Sequence, residues 1–516
     1  MNRFLYFLSG ATTLPFLLAV ILPDPEHLTS SIERGICYSF LLAGLCAFFV
    51  RSHSNPFVPA AHLIIAAVLI VAIGHLILYT WSARTSLFLA DQDITNISSA
   101  IANTASGFGL LPTAYVRTGD AGSYLGHHFA PALLLILPEY ILGNVLGLDH
   151  FVYPASVLVS YALGLIIWIR LIMRRFSHSV KAALFASCLI LSSFPLIRLG
   201  QSFHNEAFVI FFSGLLFTGL EGQRPILFFT GAMLWMMVKE DTSVYIGLLG
   251  LFLSVTGKQR QGIPLILISG MYFVLSHFIQ ATLGGKTGPD WTIFFYGSWP
   301  QVTTLPLSTA KPLALFAVLG SFAFLPLARP LFVLITIAPL ALLHLFSNHP
   351  WHSTYYGHYV YAVLPFLMYG TLLGIDRVLN TSPRIQTALL SLTMCVAFYF
   401  NAGDRQTPGA LFAADPEFSE LTKLIDQIPD KYCIYAEANL SPLVPVNRVV
   451  FPLNEVEGNP NTQESYRNAK GLASHCRGKI LLSGYDKAGL HANSPSLTHK
   501  GKLLKEAGRF SLHEIE

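Results

Sequence analysis

The chain has 516 residues, of which 53% are hydrophobic and only 12% are charged. Soluble domains carry roughly 25% charged residues, so this composition argues against a soluble globular protein and indicates one that crosses a membrane several times. The formal net charge of +4 is small and spread along the chain, and it gives no support to nucleic-acid binding.

About fourteen apolar segments follow one another along the chain, and the longer ones reach the roughly 20 residues that a helix needs to span a bilayer. The first follows Arg3 without a clear small-residue cleavage site, so we interpret it as a retained first helix rather than a removed signal peptide. The segments lie near residues 4–22, 35–50, 60–80, 128–146, 154–173, 181–198, 204–220, 224–238, 242–256, 262–281, 312–328, 331–347, 355–375 and 386–403.

The loop Arg170–Lys181 is the most basic short loop in the chain, and cytoplasmic loops are enriched in Lys and Arg. If every segment crossed the membrane from a cytoplasmic amino terminus, this loop would lie outside. Segment 128–146 is interrupted by Pro131, Pro138 and Glu139, so we predict that it is re-entrant or lies at the membrane interface. About thirteen crossings then remain, with the basic loops inside and the carboxyl terminus outside.

Polar motifs at the ends of the apolar segments all fall on the outer side in this arrangement. Such motifs are rare in so apolar a chain, and their convergence on one face predicts a single site at the outer membrane surface. They are ADQD (Ala90–Asp93), GHHF (Gly126–Phe129), FHNE (Phe203–Glu206), VKED (Val238–Asp241) and NHPWHSTYYGHY (Asn348–Tyr359).

Asp91 and Asp93 follow the third apolar segment. Aspartate commonly caps a helix, and a solvated loop would also account for both residues. In the functional interpretation, a carboxylate at the lipid–water boundary acts as a general base on a hydroxyl group or binds a metal. Residues at i and i+2 point the same way in an extended chain but not in a helix, so this spacing alone does not establish a pair.

The later motifs leave a similar choice open. Their histidines and Glu206 could cap the segments that they precede, and Lys239 could form a local ion network with the two carboxylates beside it. A lysine at the membrane surface could also hold a phosphate group as a point charge. The residues concerned are His128, His204, Glu206, Lys239, Glu240 and Asp241.

The composition changes from about Asn401, where Asp, Glu, Lys, Asn and Pro become more frequent. Pro416–Ile428 has the apolar spacing of a helix, and YCIYAEA, RVVFPL and KILLSGY are typical of short strands. We therefore predict a membrane domain over residues 1–403 and a small α/β domain on the outer side over residues 404–516.

Cys433 and Cys476 both lie in this tail, where a disulfide is permitted by the compartment but its geometry is untested by the sequence. The remaining cysteines lie in or beside apolar segments, where we expect buried thiols. The cysteine and histidine spacings do not match a zinc site.

A succession of motifs resembles a bacterial family of predicted polytopic membrane proteins of unknown function. That family is grouped with the GT-C glycosyltransferases, which use polyprenyl-phosphate sugars. The resemblance runs from about Leu87 to about Leu373, and the strand pattern of the tail is also similar. Its motifs are DITNISSAIANTASG from Asp93, YLGHHFAPALLLILPEY, FHNEAF, VKEDTSVYIGLLGLFL and YYGHYVYAVLPF.

The resemblance transfers functional positions motif by motif. The acidic residue of the first family motif corresponds to Asp93 rather than Asp91, because ANTASG sets the register. The chain departs from the family pattern at Ile94-Thr95, where Leu-Gly is expected, and at Asn205, where Pro is expected. The other matching positions are His128, His204, Glu206, Lys239, Glu240, Asp241, His358 and Tyr359.

The resemblance implies a mainly helical GT-C-like membrane domain, with surface helices in an outer loop over residues 81–153. It implies transfer of a sugar from a polyprenyl-phosphate-linked donor to an acceptor at the outer face of a bacterial plasma membrane. Asp93 would be the general base of a single, inverting displacement, and Lys239 with His204 or His358 would bind the donor phosphate. The supporting residues would be Asp91, His128, Glu206, Glu240, Asp241 and Tyr359.

The sequence requires no cofactor, although a divalent metal is compatible with the carboxylates. The expected partners are the lipid-linked donor and membrane lipids. A transporter or lipid flippase, and a non-catalytic assembly subunit, are the rival interpretations. Transporters usually bind substrate near the midplane of the bilayer and often contain inverted repeats, and we identify neither feature in the sequence.

Overall fold

The computed structural model describes residues 57–85, 92–113, 123–146, 148–284, 310–346, 357–402, 417–429, 432–436, 440, 443–444, 450–452, 477–484, 502–508 and 510–515. Asp91 and the predicted segments 4–22 and 35–50 lie outside these residues.

Helices dominate the described part of the chain up to residue 402. Most are apolar on all sides, as expected of helices surrounded by other helices or by lipid. In chain order they are α1 (Phe57–Thr85), α2 (Gln92–Ala105), α3 (Tyr124–His127), α4 (Leu137–Val145), α5 (Asp149–Arg175), α6 (Val180–Leu191), α7 (Phe194–Gln201), α8 (Phe208–Glu221), α9 (Pro225–Met236), α10 (Thr242–Val255), α11 (Gln259–Gly284), α12 (Ala310–Ser321), α13 (Pro330–Phe332), α14 (Ala338–Phe346), α15 (Leu364–Leu379) and α16 (Pro383–Ala402). Residues Pro131–Ile136, Asn205–Ala207, Leu325–Ala328 and Gly357–Ala362 form 3-10 helices, and Val333–Ile337 forms a π-helix.

Three helical stretches within the described residues are long and apolar enough to cross a membrane: Ala61–Thr80, Val152–Arg175 and Gln259–Leu283. A fourth is added if α6 and α7 form one broken span. Several other apolar helices, such as α9 and α10, are shorter than the roughly 20 residues of a full span. The expected number of crossings therefore stays a prediction.

The bend between α6 and α7 divides what the sequence presents as one apolar segment. The two helices meet at 51°. The Ser193 hydroxyl donates to the carbonyl of Ile190 at 2.7 Å, and Pro195 has no N–H to continue the helix. The backbone N–H of Phe194 instead donates to the side chain of Asn401 on α16 at 2.8 Å. The buried Asn401 thus replaces a helical hydrogen bond that the bend removes.

Segment 128–146 is broken at its prolines. Pro131 opens a 3-10 helix and Pro138 lies in the first turn of α4. Ile141, Leu142 and Val145 on α4 are exposed, which is the pattern of a helix whose apolar face contacts lipid. The re-entrant or interfacial position of this segment stays a prediction.

Helices α8 and α9 approach so closely that their interface requires glycine. A Cβ atom on Gly219 would lie 2.4 Å from the backbone nitrogen of Phe228, and one on Gly231 would lie 2.5 Å from that of Leu216. Small residues allow this kind of backbone contact between helices in membranes. The close contact packs α8 directly against α9, the helix that leads into the turn Met237–Asp241.

The tail contains a five-stranded mixed sheet with the order β2-β1-β3-β5-β4. The strands are β1 (Tyr432–Ala436), β2 (Val450–Pro452), β3 (Gly478–Gly484), β4 (Lys502–Ala507) and β5 (Phe510–Ile515). Strand β1 pairs in parallel with β2 and β3, whereas β5 is antiparallel to β3 and β4. Helix α17 (Phe418–Ile425) buries Leu421, Leu424 and Ile425 in the core that it shares with the sheet.

The helix and the first three strands agree with the sequence-based expectation for the tail. Strands β4 and β5 were not anticipated. Strand β4 has the sequence KLLKEA and is exposed along nearly its whole length, so it lacks the alternating pattern by which a half-buried strand is recognised. Cys433 on β1 is disulfide-bonded, and its partner lies outside the described residues, as does Cys476.

Candidate functional site

A buried ion pair joins two turns at one end of the helical bundle. The 3-10 helix Asn205–Ala207 precedes α8, and the turn Val238–Asp241 connects α9 to α10. Lys239 Nζ donates to Glu206 Oε1 at 2.9 Å, and both residues are buried. The side-chain amide of Asn205 donates to the carbonyl of Val238 at 2.9 Å. The two turns are therefore fixed by one ionic and one neutral contact.

The charge of Lys239 is stabilised by its surroundings. Burial alone would lower the pKa of Lys239, but the charges of Glu206, Asp241 and Glu240 raise this pKa well above the ordinary value of a lysine. Lys239 is therefore an ammonium at every physiological pH. Its Nζ also lies 5.3 Å from the ring centre of Tyr361 and 5.9 Å from that of Tyr359, within the range of a cation–π interaction.

His204 lies next to this pair. It is the residue immediately before the 3-10 helix, and its Nδ1 lies 3.7 Å from Glu206 Oε2. This distance is too long for a hydrogen bond but allows electrostatic attraction when the imidazole is protonated. Glu206 therefore lies between two basic side chains, with one carboxylate oxygen directed toward each.

Glu240 binds the segment that precedes α4. His128 Nδ1 lies 3.0 Å from Glu240 Oε1, and the backbone N–H of Phe129 donates to Oε2 at 3.0 Å. The backbone N–H of Ala132 also donates to the carbonyl of Met237 at 2.9 Å. Burial raises the pKa of Glu240, but His128 and Lys239 outweigh it and lower this pKa to about 2. Both oxygens of Glu240 are used to hold the turn that carries His128.

Asp241 is held by two tyrosines. The hydroxyl groups of Tyr245 and Tyr361 both donate to Asp241 Oδ2. The other oxygen, Oδ1, is inaccessible to solvent and has no hydrogen-bond partner among the described residues. Burial raises the pKa of Asp241 above its ordinary value, with a further contribution from Glu240, while Lys239 and the two tyrosines oppose the shift.

Most of the side chains singled out in the sequence lie together at this end of the bundle. We call His128, His204, Glu206, Lys239, Glu240 and Asp241 the Lys239 cluster, and Tyr359 contacts it through Lys239. Asp91 lies outside the described residues. Asp93 lies in the first turn of α2 and His358 lies in the 3-10 helix Gly357–Ala362, but the side chains of both are outside the described part of the structure.

The tyrosine partners of Asp241 were missed by sequence reasoning. Tyr245 follows Asp241 by four residues, one turn along α10, and this spacing is a recognisable signal for a side-chain contact. Tyr361 lies two residues beyond the HY motif in a 3-10 helix, and no sequence periodicity connects it to Asp241. No group of three or more metal-binding side chains converges among the described residues.

A second polar cluster lies toward the carboxyl-terminal ends of α5, α8 and α15, away from the turn that precedes α8. Arg175 ends α5, donates to Asp376 on α15 through Nε at 2.9 Å, and forms an ion pair with Glu221 at the end of α8. The hydroxyl of Tyr369 also donates to Glu221. We call Arg175, Glu221, Tyr369 and Asp376 the Arg175 cluster.

The two clusters are separated by an aromatic layer of Trp168, Phe217, Trp235 and Phe366, all fully buried. The ring centres of Trp168 and Phe217 are 5.5 Å apart, and those of Trp235 and Phe366 are also 5.5 Å apart. These residues come from four different helices, α5, α8, α9 and α15. The layer fills the space between the two polar ends with apolar rings.

The chain matches a protein family in sequence and a solved membrane protein in fold. A family model described as Predicted membrane protein (DUF2079) matches residues 83–470 of the chain. No curated protein sequence matches it. Among solved structures, the fold is similar to that of ArnT, a GT-C glycosyltransferase from Cupriavidus metallidurans, in a crystal structure bound to undecaprenyl phosphate.

That structural match has a TM-score of 0.53 at 12% sequence identity, and it covers 88% of this chain and 97% of that chain. At this identity the likeness concerns the fold alone. It shows a GT-C-like helical architecture, and the family match confirms the resemblance that the motifs indicated.

Proposed function

The chain belongs to the family of predicted membrane proteins that the DUF2079 model describes, and from this premise we propose that it is a membrane glycosyltransferase. It transfers a sugar from a polyprenyl-phosphate-linked donor to an acceptor hydroxyl at the outer face of the membrane, with inversion at the anomeric carbon. The proposal is supported by the GT-C-like fold and by the undecaprenyl phosphate bound to the structural neighbour.

The observation that carries the proposal is the Lys239 cluster itself. Lysine, histidine and carboxylate side chains that are far apart in the sequence lie at one end of an apolar bundle, several of them buried. Perturbed ionisable groups that converge in this way are typical of functional sites. The cluster is therefore suited to bind a charged group that a lipid tail carries to the membrane surface.

Lys239 is assigned to the donor phosphate. An ammonium group has three N–H donors, and the contact with Glu206 uses one of them. The charge that develops on the departing phosphate would be stabilised by Lys239 together with His204 or His358. Glu206 holds Lys239 and His204 in position, and Glu240 does the same for His128.

Asp93 is assigned as the general base. As the acceptor oxygen attacks the anomeric carbon, its proton passes to the Asp93 carboxylate and the carbon–oxygen bond to the phosphate breaks. The polyprenyl phosphate leaves with the electron pair of that bond. One displacement inverts the anomeric configuration.

The position of the site at one end of the bundle favours transfer over transport. A transporter needs a path that opens to both sides of the membrane. Transfer is supported by the buried aromatic layer, which lies between the two polar clusters in the described residues. The disulfide at Cys433 supports an extracytoplasmic tail, since disulfides persist in oxidising compartments.

The proposal is tested with the full-length protein in membrane vesicles and undecaprenyl-phosphate sugars that carry a radiolabel on the sugar. Wild type should move the label to a membrane acceptor and release undecaprenyl phosphate, whereas Asp93→Asn should fold normally and lose transfer. Glu139→Gln is the matched control. Glu139 accepts a hydrogen bond from the Ser156 hydroxyl on the adjacent helix and has no assigned role in transfer. Failure of wild type to transfer any label, or full activity of Asp93→Asn, would overturn the proposal.

A further inference from the structure

The two oxygens of the Asp241 carboxylate have very different surroundings. Oδ2 accepts hydrogen bonds from the hydroxyl groups of Tyr245 and Tyr361, on two different elements. Oδ1 is shielded from solvent and has no partner among the described residues. A carboxylate oxygen carries two acceptor sites, so Oδ1 has unused accepting capacity at a point that solvent does not reach.

Leaving such an acceptor unsatisfied is costly, and more so when the group is charged. Asp241 occupies the N-cap position of α10, but its side chain makes no cap hydrogen bond. The two tyrosines fix the plane of the carboxylate and therefore the direction of Oδ1. A buried acceptor without a partner requires an explanation in a native fold, and a bound ligand supplies one.

Asp241 is also close to the residue assigned to the donor phosphate. Lys239 is two positions away in the same turn, and Tyr361 contacts both, through its hydroxyl group to Asp241 and through its ring face to Lys239. The sugar of a polyprenyl-phosphate donor is bonded directly to the phosphate. A donor whose phosphate lies at Lys239 therefore places its sugar ring in the neighbourhood of Asp241.

We propose that Asp241 binds a hydroxyl group of the transferred sugar through Oδ1, with Tyr245 and Tyr361 as positioning residues that orient the carboxylate. This inference rests on the proposed function and adds a sugar-binding subsite to it. The hydroxyl group donates its proton to the carboxylate, and no covalent bond is made or broken. The subsite makes affinity depend on the sugar as well as on the phosphate.

The charges predict opposite effects on two lipid probes. Undecaprenyl phosphate alone can use Lys239 but not the subsite, whereas the same lipid carrying a sugar can use both. Removing the Asp241 carboxylate takes a negative charge away from Lys239, which favours the phosphate. The same change removes the hydrogen bond to the sugar. Asp241→Ala should therefore weaken binding of the glycosylated lipid, while the bare lipid should bind as tightly as before or more tightly.

The experiment measures dissociation constants for full-length protein in lipid nanodiscs. The probes are undecaprenyl phosphate and undecaprenyl phosphate carrying a hexose, an N-acetylhexosamine or a pentose, and the tightest glycosylated lipid is then used for all variants. Asp241→Ala should bind that lipid about 10-fold to 100-fold more weakly than wild type, the range expected for a hydrogen bond to a charged group. Asp241→Asn, which keeps hydrogen-bonding capacity and shape, should lose less and provides a folded variant if the alanine protein is unstable.

Tyr369→Phe is the matched control, because its hydroxyl also donates to a carboxylate, Glu221, but in the Arg175 cluster. It should leave both dissociation constants unchanged. The sugar subsite would be overturned if the Asp241 variants bound both probes more weakly by the same factor, or if they bound both as wild type does. A wild-type protein that binds the bare lipid but gains nothing from any sugar would also overturn it while leaving the phosphate site intact. Absence of binding to every probe would instead overturn the proposed function on which the subsite rests.

Discussion

The two polar clusters of this protein use similar chemical groups in different ways. Each places a cation among carboxylates and tyrosine hydroxyls at one end of the helical bundle. In the Arg175 cluster a planar guanidinium uses several donors at once, to Asp376 on one helix and to Glu221 on another. In the Lys239 cluster a single ammonium donates to Glu206 and keeps further donors, and one oxygen of Asp241 is buried and unpaired among the described residues.

The two clusters also lie on different kinds of backbone element. The members of the Arg175 cluster lie on the regular helices α5, α8 and α15, whose packing alone would bring them together. The Lys239 cluster lies on turns and 3-10 helices, the kind of connecting segment that most often carries binding and catalytic residues. The comparison is consistent with the proposal that the Arg175 cluster holds helices together and that the Lys239 cluster binds a ligand.

The largest effect is expected from removing the cation of the Lys239 cluster. Lys239→Met combined with Glu206→Gln removes both charges of the buried pair, so the protein should fold with nearly wild-type stability. Its transfer rate should fall about 100-fold to 1000-fold, the loss typical of one electrostatic contact to a transition state. Initial rates of label transfer at saturating donor would measure this. A rate within a few-fold of wild type would contradict a role for the Lys239 cation in transfer.

The opposite result is expected for the Arg175 cluster. Arg175→Met leaves Glu221 and Asp376 without their shared cation, and it should lower the free energy of unfolding by about 3 kcal/mol. Thermal unfolding in detergent would report the loss. Transfer per folded molecule should stay near wild type, and adding Glu221→Gln with Asp376→Asn should restore much of the stability. Loss of activity without loss of stability would show that this cluster also takes part in the reaction.

A smaller effect is expected from acid, which should reveal how much ionised Glu240 in the Lys239 cluster contributes to stability. The pKa of Glu240 is about 2, below the value of about 4.3 in an unfolded chain, so ionised Glu240 stabilises the fold above pH 4.3 and this contribution is lost as the pH falls toward 2. Glu240→Gln cannot make this contribution at any pH. Its melting temperature should therefore fall less steeply than that of wild type between about pH 5 and pH 3. Parallel curves for the two proteins would contradict the assignment of an ionised, His128-paired Glu240.

The smallest effect is expected from single phenol groups. Tyr245→Phe and Tyr369→Phe each remove one hydroxyl that donates to a carboxylate, and each should cost about 1 kcal/mol of stability. The two variants should differ in kinetics, since only Tyr245 orients a residue of the Lys239 cluster. We expect an increase of a few-fold in KM for the lipid-linked sugar with Tyr245→Phe and no change with Tyr369→Phe. If the KM of Tyr245→Phe equals that of Tyr369→Phe, the Tyr245 hydroxyl is purely structural.

Composition and motif spacing predict part of this picture well. The apolar helices are evident because charge is so scarce. The side chains of His128, Glu206 and Lys239 lie at one end of the bundle, in agreement with the prediction that the polar motifs converge. The contact of Tyr361 with Asp241 could not be predicted, because it joins residues 120 positions apart across a 3-10 helix. The bend at Ser193 was also missed, since an apolar segment gives no sign of the distant Asn401 side chain that makes the bend tolerable.

The aromatic layer has a consequence for how such a protein can diversify. Because apolar rings insulate one polar end from the other, substitutions that retune the Lys239 end need not disturb the ion pairs that hold α5, α8 and α15. Under the proposed function, substitution of a few turn residues would therefore change which carbohydrate is bound while the Arg175 cluster stays intact.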